Sequence, residues 1–223
     1  MKLINLKKIL LIPLLLFSFS FVAEAKDDFL INWKASVYVP FFYTGKALPT
    51  LGSKIEVSFE LLHDDQIVSV KGREVRWFIG NKRVAKGPNL KKTIYNIPGE
   101  QTGNLAIRLE VSGPYGEVNK VFTIPVTSPK VVIEDKNQGI LNKGNNNYLA
   151  WPYFFNVKKM DELGFTWQID EDRTTGKPDQ RNALDLNVAK DVNDYNSELS
   201  ATIQKLNNLL EIGRKSINLK TNK

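Results

Sequence analysis

The sequence predicts an all-β protein of two tandem antiparallel sandwiches, and three observations carry that prediction. Apolar residues recur with a period of two along a series of short runs. Those runs are bounded by Gly, Pro, Asn and Asp clusters. A tryptophan-centred pattern at Trp77 returns at Trp167, a constant offset of 90 residues.

Taken in chain order, "KIEVSFELL" alternates Ile55, Val57, Phe59 and Leu61, and "EVRWFIG" places Val75, Trp77 and Ile79 on one face. "NLAIRLEVS" repeats the pattern with Leu105, Ile107, Leu109 and Val111. "KVFTIPVT" follows after the Gly-Pro-Tyr-Gly turn at 113–116. Period-two runs separated by such turns are how antiparallel strands read. Pro125 suits an edge or a bulge, because it has no N–H for a ladder.

The repeat sets the organisation. "VRWFIGNKRV" aligns with "FTWQIDEDRT", so Ile79 falls on Ile169, Arg83 on Arg173 and Pro88 on Pro178. The strand around Ile94 falls near Leu184, and "LAIRLEV" is echoed by "ELSATIQ". Two equivalent units explain this better than one large one. The expected division is a leader at 1–25, a first domain at 26–129 and a second at 130–223. "TSPK" (127–130) is the expected linker, and Lys130-Val131-Val132-Ile133 opens the second unit. The C-terminal "ELSATIQKLNNLLEIGRKSINLK" admits a helix, with Leu199, Ile203, Leu206 and Leu210 at helical steps, or two strands at 198–204 and 209–220. The repeat requires strands, and Gly213 weakens a helix interior.

Each unit carries one central indole, Trp77 or Trp167, expected to fill the space between two facing sheets as structural core. With "EVRWFIGNKRVAKGPNLKKTIYNIPG", "GNLAIRLEVSGPYGEVNKVFTIPV" and the weaker "GFTWQIDED", the chain resembles immunoglobulin-like domains of bacterial surface proteins, including the PKD-like group. It departs from them in having no Cys pair, no tyrosine corner and no W-D-F-G-D-G stretch. The resemblance implies a sandwich fold and a structural or adhesive role without catalytic machinery. It does not imply a site, since such sandwiches are widely reused.

Compartment is read from the first residues. Lys2, Lys7 and Lys8 precede the apolar "ILLIPLLLFSFSFVA" (Ile9 to Ala23), and Ala23-Glu24-Ala25 has the small-x-small form that a signal peptidase cleaves. An uncleaved anchor is the alternative, against which Pro13 and the cleavage pattern both argue. The mature chain then runs from Lys26 to Lys223, exported to the periplasm or the cell surface. An exported chain without a single cysteine must stabilise each domain by its core alone. Together with the absence of any N-x-[ST] acceptor, this agrees with a bacterial source. Losing Lys2, Lys7, Lys8 and Glu24 takes the net charge from +7 to +5, with no cationic run longer than two. Nucleic-acid binding needs a clustered basic patch, so that class is excluded. Membrane contact is expected only through the leader before cleavage.

Few residues invite chemistry. His63 is the single histidine, followed by Asp64 and Asp65, and reads as a turn, because no G-x-S-x-G elbow accompanies it. "DEDRTTGKPD" offers Asp170, Asp172 and Thr174 at alternate positions, but Gly176 is seventh and Arg181 twelfth, against the calcium-loop pattern. Zinc sites built from Cys or several His cannot be assembled. "ALPTLGS" is not a sortase signal, since it reads L-P-T-L-G and has no hydrophobic tail. No metal and no cofactor are expected. A hydrolase with an unfamiliar site would need converging carboxylates, for example at Asp170 and Asp172. Completion by a neighbour's strand would leave an apolar groove in the second sandwich.

Two aromatic clusters remain. "YVPFFYTG" holds Tyr38, Phe41, Phe42 and Tyr43, and "YLAWPYFFNV" holds Tyr148, Trp151, Tyr153, Phe154 and Phe155. Strict alternation sends only half of each set to a core, with Tyr153 and Phe155 on one face and Phe154 on the other. The stretch Tyr38 to Ser53 reads as an opening strand followed by a Gly-Pro crossover between sheets. Its aromatics either seal a sandwich edge or interdomain junction, or form a binding surface. The expected function is therefore non-catalytic: a tandem protein with a structural, adhesive or protein-interaction role at the cell envelope. The alternative is a polysaccharide- or peptidoglycan-binding accessory module that stacks sugars on Tyr38, Phe41, Phe42 and Tyr43. The expected partner is another envelope protein or a glycan.

Overall fold

In the computed structural model, which describes residues 27–99, 103–113, 116–191 and 194–221, the alternating runs become strands with one face inward. The expected leader lies outside the described residues. The first half forms β1 (Asp27–Ser36), β2 (Lys54–His63), β3 (Gln66–Val68), β4 (Glu74–Ile79), β5 (Lys82–Pro88), β6 (Lys92–Asn96), β7 (Leu105–Gly113) and β8 (Gly116–Ile124). The second half forms β9 (Lys130–Asp135), β10 (Ile140–Leu141), β11 (Gly144–Tyr153), β12 (Leu163–Ile169), β13 (Asp172–Thr174), β14 (Ala183–Val188), β15 (Asn196–Lys205) and β16 (Asn208–Thr221).

In the first half, β1 pairs one edge of β2, and β3 and β6 share the other. This sheet faces a second one in the order β5-β4-β7-β8. In the second half, β14-β11-β9 faces β10-β16-β15-β12-β13. The short β10 runs parallel to the end of β16, whereas the other pairings are antiparallel. Both halves are immunoglobulin-like sandwiches, with the tryptophan on the strand that crosses to the second sheet.

The packing follows the alternation. Ile55, Val57, Phe59 and Leu61 lie in one core with Val75, Leu105, Ile107, Leu109 and Val111. Trp77 is 0% exposed and Trp167 2%. The Trp77 indole N–H donates to the Leu90 carbonyl at 3.0 Å, and the Trp167 N–H to the Arg181 carbonyl at 3.4 Å. Each acceptor lies just before the strand that enters the opposite sheet, β6 or β14. The repeat is thus a repeat of packing: a buried indole also ties the crossover that follows it.

Two sequence expectations change, those for the opening stretch and for Pro125, and the two strands that the repeat requires at the C-terminus are present. The opening strand is β1, ahead of the aromatic stretch rather than within it. Ser36 and Lys54 are paired neighbours, so residues 37–53 form a long excursion that leaves and returns to the same place in the sheet. Pro125 falls just beyond β8, where no ladder N–H is needed. The C-terminal segment is the hairpin β15–β16. Its helical reading fails on burial: Leu199 and Ile203 are 0% exposed, but Leu206 is 58% and Leu210 92% exposed. The hairpin places β16 along β15, and the second sandwich takes this edge of its sheet from its own chain.

Tyr148, 1% exposed on β11, has a hydroxyl with no hydrogen-bond partner among the described residues. Burial, with Asp135's charge beside it, pushes this phenol up to about 12. Because the folded phenol holds its proton more tightly than the unfolded one, the unfolded chain deprotonates first as pH rises above its ordinary value. Stability is therefore lost between about pH 10 and 12, a share of about 3 kcal/mol from this residue. Tyr148→Phe should abolish that share and, by removing an unpaired buried hydroxyl, add about 1 kcal/mol at neutral pH. Urea unfolding at pH 8 and pH 11 measures both effects.

Candidate functional site

The excursion at 37–53 brings the two aromatic clusters together. Its far end is tied to the first sandwich: Gly52 N–H donates to Ile97 O at 2.9 Å, and Ile97 N–H to Ser53 O at 2.8 Å. The Ser53 hydroxyl donates to Thr50 O at 2.7 Å inside this turn. Thr127 N–H donates to Pro49 O at 2.9 Å, which fastens the chain between the sandwiches to the same loop. Its near end reaches the second sandwich. Tyr38 N–H donates to Phe155 O at 2.7 Å, and Phe154 N–H returns a bond to Tyr38 O at 2.8 Å. That two-way bridge is a fragment of antiparallel ladder between the halves.

Phe154 makes the bridge possible. Its φ of +62° is rare for a bulky residue and ends the alternation of β11. Phe154 and Phe155 consequently both turn inward, 6% and 0% exposed, so Phe155 leaves the face it would share with Tyr153. Beneath Phe155 lies Gly213, where a Cβ would stand 3.4 Å from the Phe155 ring and 3.0 Å from Val131 Cγ2. The segment after Phe155 is held by an ion pair. Lys205 Nζ donates to Asn156 O at 2.7 Å and stands 3.5 Å from the Glu211 carboxylate, with side chains 14% and 6% exposed. The same carboxylate accepts the Asn156 N–H.

On this base the aromatics stack edge to face. Phe42 meets Trp151 at 5.0 Å, and Tyr43 meets Tyr153 at 5.5 Å and Phe154 at 5.8 Å. Phe41 leans on Phe42 at 5.3 Å. Trp151 is oriented by its own N–H, which donates to Glu134 at 2.9 Å. Of the four residues singled out in the first cluster, Tyr38 and Tyr43 are half-buried and anchor the loop, whereas Phe42 is 45% and Phe41 93% exposed. Burial raises the Tyr38 phenol. Burial first, then Tyr43 and the Glu134 charge, raise that of Tyr153.

Trp151 continues the platform onto the outer face of β9, β11 and β14. Its cross-strand neighbour is Val132, 46% exposed. Two residues on, Leu149 pairs with Glu134, and two further, Asn147 pairs with Asp185. A depression of about 220 Å³ opens there, lined by Glu134, Asn147, Leu149, Lys177, Gln180 and Asp185 among others. Sequence reading singled out none of these polar residues. The alternation of "KVVIED" against "YLAW" does place Glu134 and Leu149 on outward faces.

The remaining candidates lie elsewhere. Asp64 and Asp65, with φ of 47° and 60°, form the tight turn between β2 and β3, the left-handed pair that suits a two-residue hairpin. His63 Nδ1 stands 2.8 Å from the Asp27 carboxylate at the end of β1. Asp170 and Glu171 repeat this turn between β12 and β13, with φ of 47° and 76°. The Asp170 carboxylate accepts the Glu198 N–H at 2.7 Å. Hydrogen bonds from the Ser197 hydroxyl and the Glu198 backbone stabilise its anion and hold its pKa below the ordinary carboxylate range. Asp172 lies in β13, paired with Ile169.

No family model matches the chain, and no curated protein sequence matches it. Among solved structures it is similar to the fibronectin(III)-like modules of Clostridium thermocellum CbhA, at 11% identity over 83% of this chain and 92% of that one, with a TM-score of 0.31. It is also similar to the three N-terminal domains of the bacteriophage RB49 highly immunogenic outer capsid protein, at 10% identity, 87% and 59% coverage and a TM-score of 0.45. A chimeric titin Z1Z2 gives 12% identity, 88% and 95% coverage and a TM-score of 0.35.

Proposed function

We propose that this chain is an exported, non-catalytic interaction protein of the bacterial cell envelope, and that its working surface is the junction face carrying Phe41 and Phe42. One observation supports the reading above others. The loop is hydrogen-bonded to both sandwiches, yet it holds Phe41 93% exposed beside a half-exposed Phe42. A ring held out in solvent, as Phe41 is, gains little from folding, but the pair buries a large area when a partner covers it. Export rests on the leader pattern at 1–25.

The test is recovery of partners from the protein's own envelope fraction by the mature chain and by a Phe41→Ser/Phe42→Ser variant. The variant should remain folded, losing about 1 kcal/mol with the Phe42–Trp151 contact, and recover about tenfold less of its partner, equivalent to about 1.4 kcal/mol. Undiminished recovery would move the working surface elsewhere.

A second reading, the glycan-binding accessory module, is favoured by a separate observation. Trp151, held by Glu134, extends the aromatic platform toward hydrogen-bonding groups on the same sheet face. Planar aromatics beside carboxylates and amides suit the two-sided chemistry of a sugar ring.

A further inference from the structure

We infer that the depression beyond Trp151 is a hydrogen-bonding subsite for a neutral, β-linked pyranose chain lying along β11. This rests on the glycan-binding reading of the same face and names its ligand class and its specificity groups. Trp151, Leu149 and Asn147 point outward from one strand at alternate positions. At about 3.3 Å per residue they span about 13 Å from indole to amide, room for consecutive sugar units. A β-linked pyranose with equatorial hydroxyls presents a flat C–H face, which one ring of the perpendicular Phe42–Trp151 pair can cover. It carries its hydroxyls at the rim, where Glu134 and Asp185 accept and Asn147 and Gln180 both donate and accept.

The far wall is built before any ligand arrives. The loop from Thr175 to Asn182 is closed by bonds from Lys177 N–H to Ala183 O at 3.0 Å and from Ala183 N–H to Gln180 O at 2.8 Å. Ala150 N–H donates to Asn182 O at 2.8 Å, which pins the loop to β11. Gly176 allows it to pass over the core indole, because a Cβ there would stand 2.9 Å from Ala183 O and 3.2 Å from Trp167 Cδ1. Such preorganisation lowers the ordering cost of binding.

Charge selects the class of sugar. The carboxylates of Glu134 and Asp185 are matched by the ammonium groups of Lys136 and Lys177 around the depression. Lys177 and Asp185 are already paired at 2.8 Å. The two carboxylates and two ammonium groups around the depression sum to zero, so it offers no net attraction to a uronate or phosphate.

Binding of the mature chain to immobilised cellohexaose, chitohexaose and hexagalacturonate, compared among wild type, Phe42→Ala and Asn147→Ala/Gln180→Ala, tests the inference. The double variant changes two exposed side chains and should keep the wild-type melting temperature. The expected result is retention on a neutral hexasaccharide, weakened about tenfold or more by either variant. Loss with Phe42→Ala but not with the double variant overturns the subsite and leaves the platform reading standing. Preference for hexagalacturonate overturns the neutral class. Failure of the wild type to bind either neutral hexasaccharide overturns both the subsite and the glycan reading.

Discussion

Trp77→Ala is expected to destabilise the first sandwich by about 4 kcal/mol, a large part of what a domain of this size possesses. Trp77 is 0% exposed and closes an edge-to-face series in which Phe59 meets it at 5.7 Å and Phe29 meets Phe59 at 5.6 Å. Removing the indole leaves a cavity between the sheets and strips the Leu90 carbonyl of its donor. Trp77→Phe keeps much of the volume and should lose roughly half as much. Guanidinium unfolding followed by near-ultraviolet circular dichroism measures the difference. A loss under about 1 kcal/mol would mean that the sheets close over the gap.

Lys205→Met should rank second, at about 3 kcal/mol, because it leaves the Glu211 carboxylate buried without its cation. Glu211 would keep the Asn156 N–H and lose only the ammonium, which places the loss at the low end for a broken buried pair. Adding Glu211→Gln removes the stranded charge and keeps an acceptor for Asn156. The double variant should therefore recover most of the loss, a strongly non-additive cycle. Additive losses in urea titrations would show that the two side chains do not act as a pair. The pair matters for function because it holds the segment that follows Phe155, the residue bridged to Tyr38.

The fold was legible wherever a local period met a buried face. Ile55 to Leu61, Val75 to Ile79 and Leu105 to Val111 announce their strands, and the two tryptophans announce the repeat. The period was equally present in Phe29, Ile31, Trp33 and Ala35 of β1, where it competes with the louder aromatic run that follows. The meeting of the two aromatic clusters had no local signal at all. Phe42 reaches Trp151 only because a long loop crosses from one sandwich to the other, a tertiary event that no periodicity encodes.

Alternation also misled at one place. It puts Phe155 on the face of Tyr153, opposite Phe154, but the left-handed backbone at Phe154 turns both phenylalanines inward. A bulky residue at positive φ is sustained by its surroundings rather than by its own preference. Here the bridge to Tyr38, the stack with Tyr43 and the room left by Gly213 supply that support. The polar depression was hidden for a different reason. Its residues come from three strands and a loop, and their assembly depends on the pairings of Leu149 with Glu134 and Asn147 with Asp185.

The central claim is that the loop displays Phe41 and Phe42 as a working surface. Photo-crosslinking in the native envelope tests it most directly, with a photoreactive phenylalanine analogue at position 41 and, as control, at Val121. Val121 is 61% exposed on β8 of the first sandwich, in the sheet opposite the one whose strands β1 and β2 flank the loop. The account predicts a discrete, saturable adduct from position 41 and none from position 121. Equal labelling from both positions, or none from 41 while 121 labels, would contradict it.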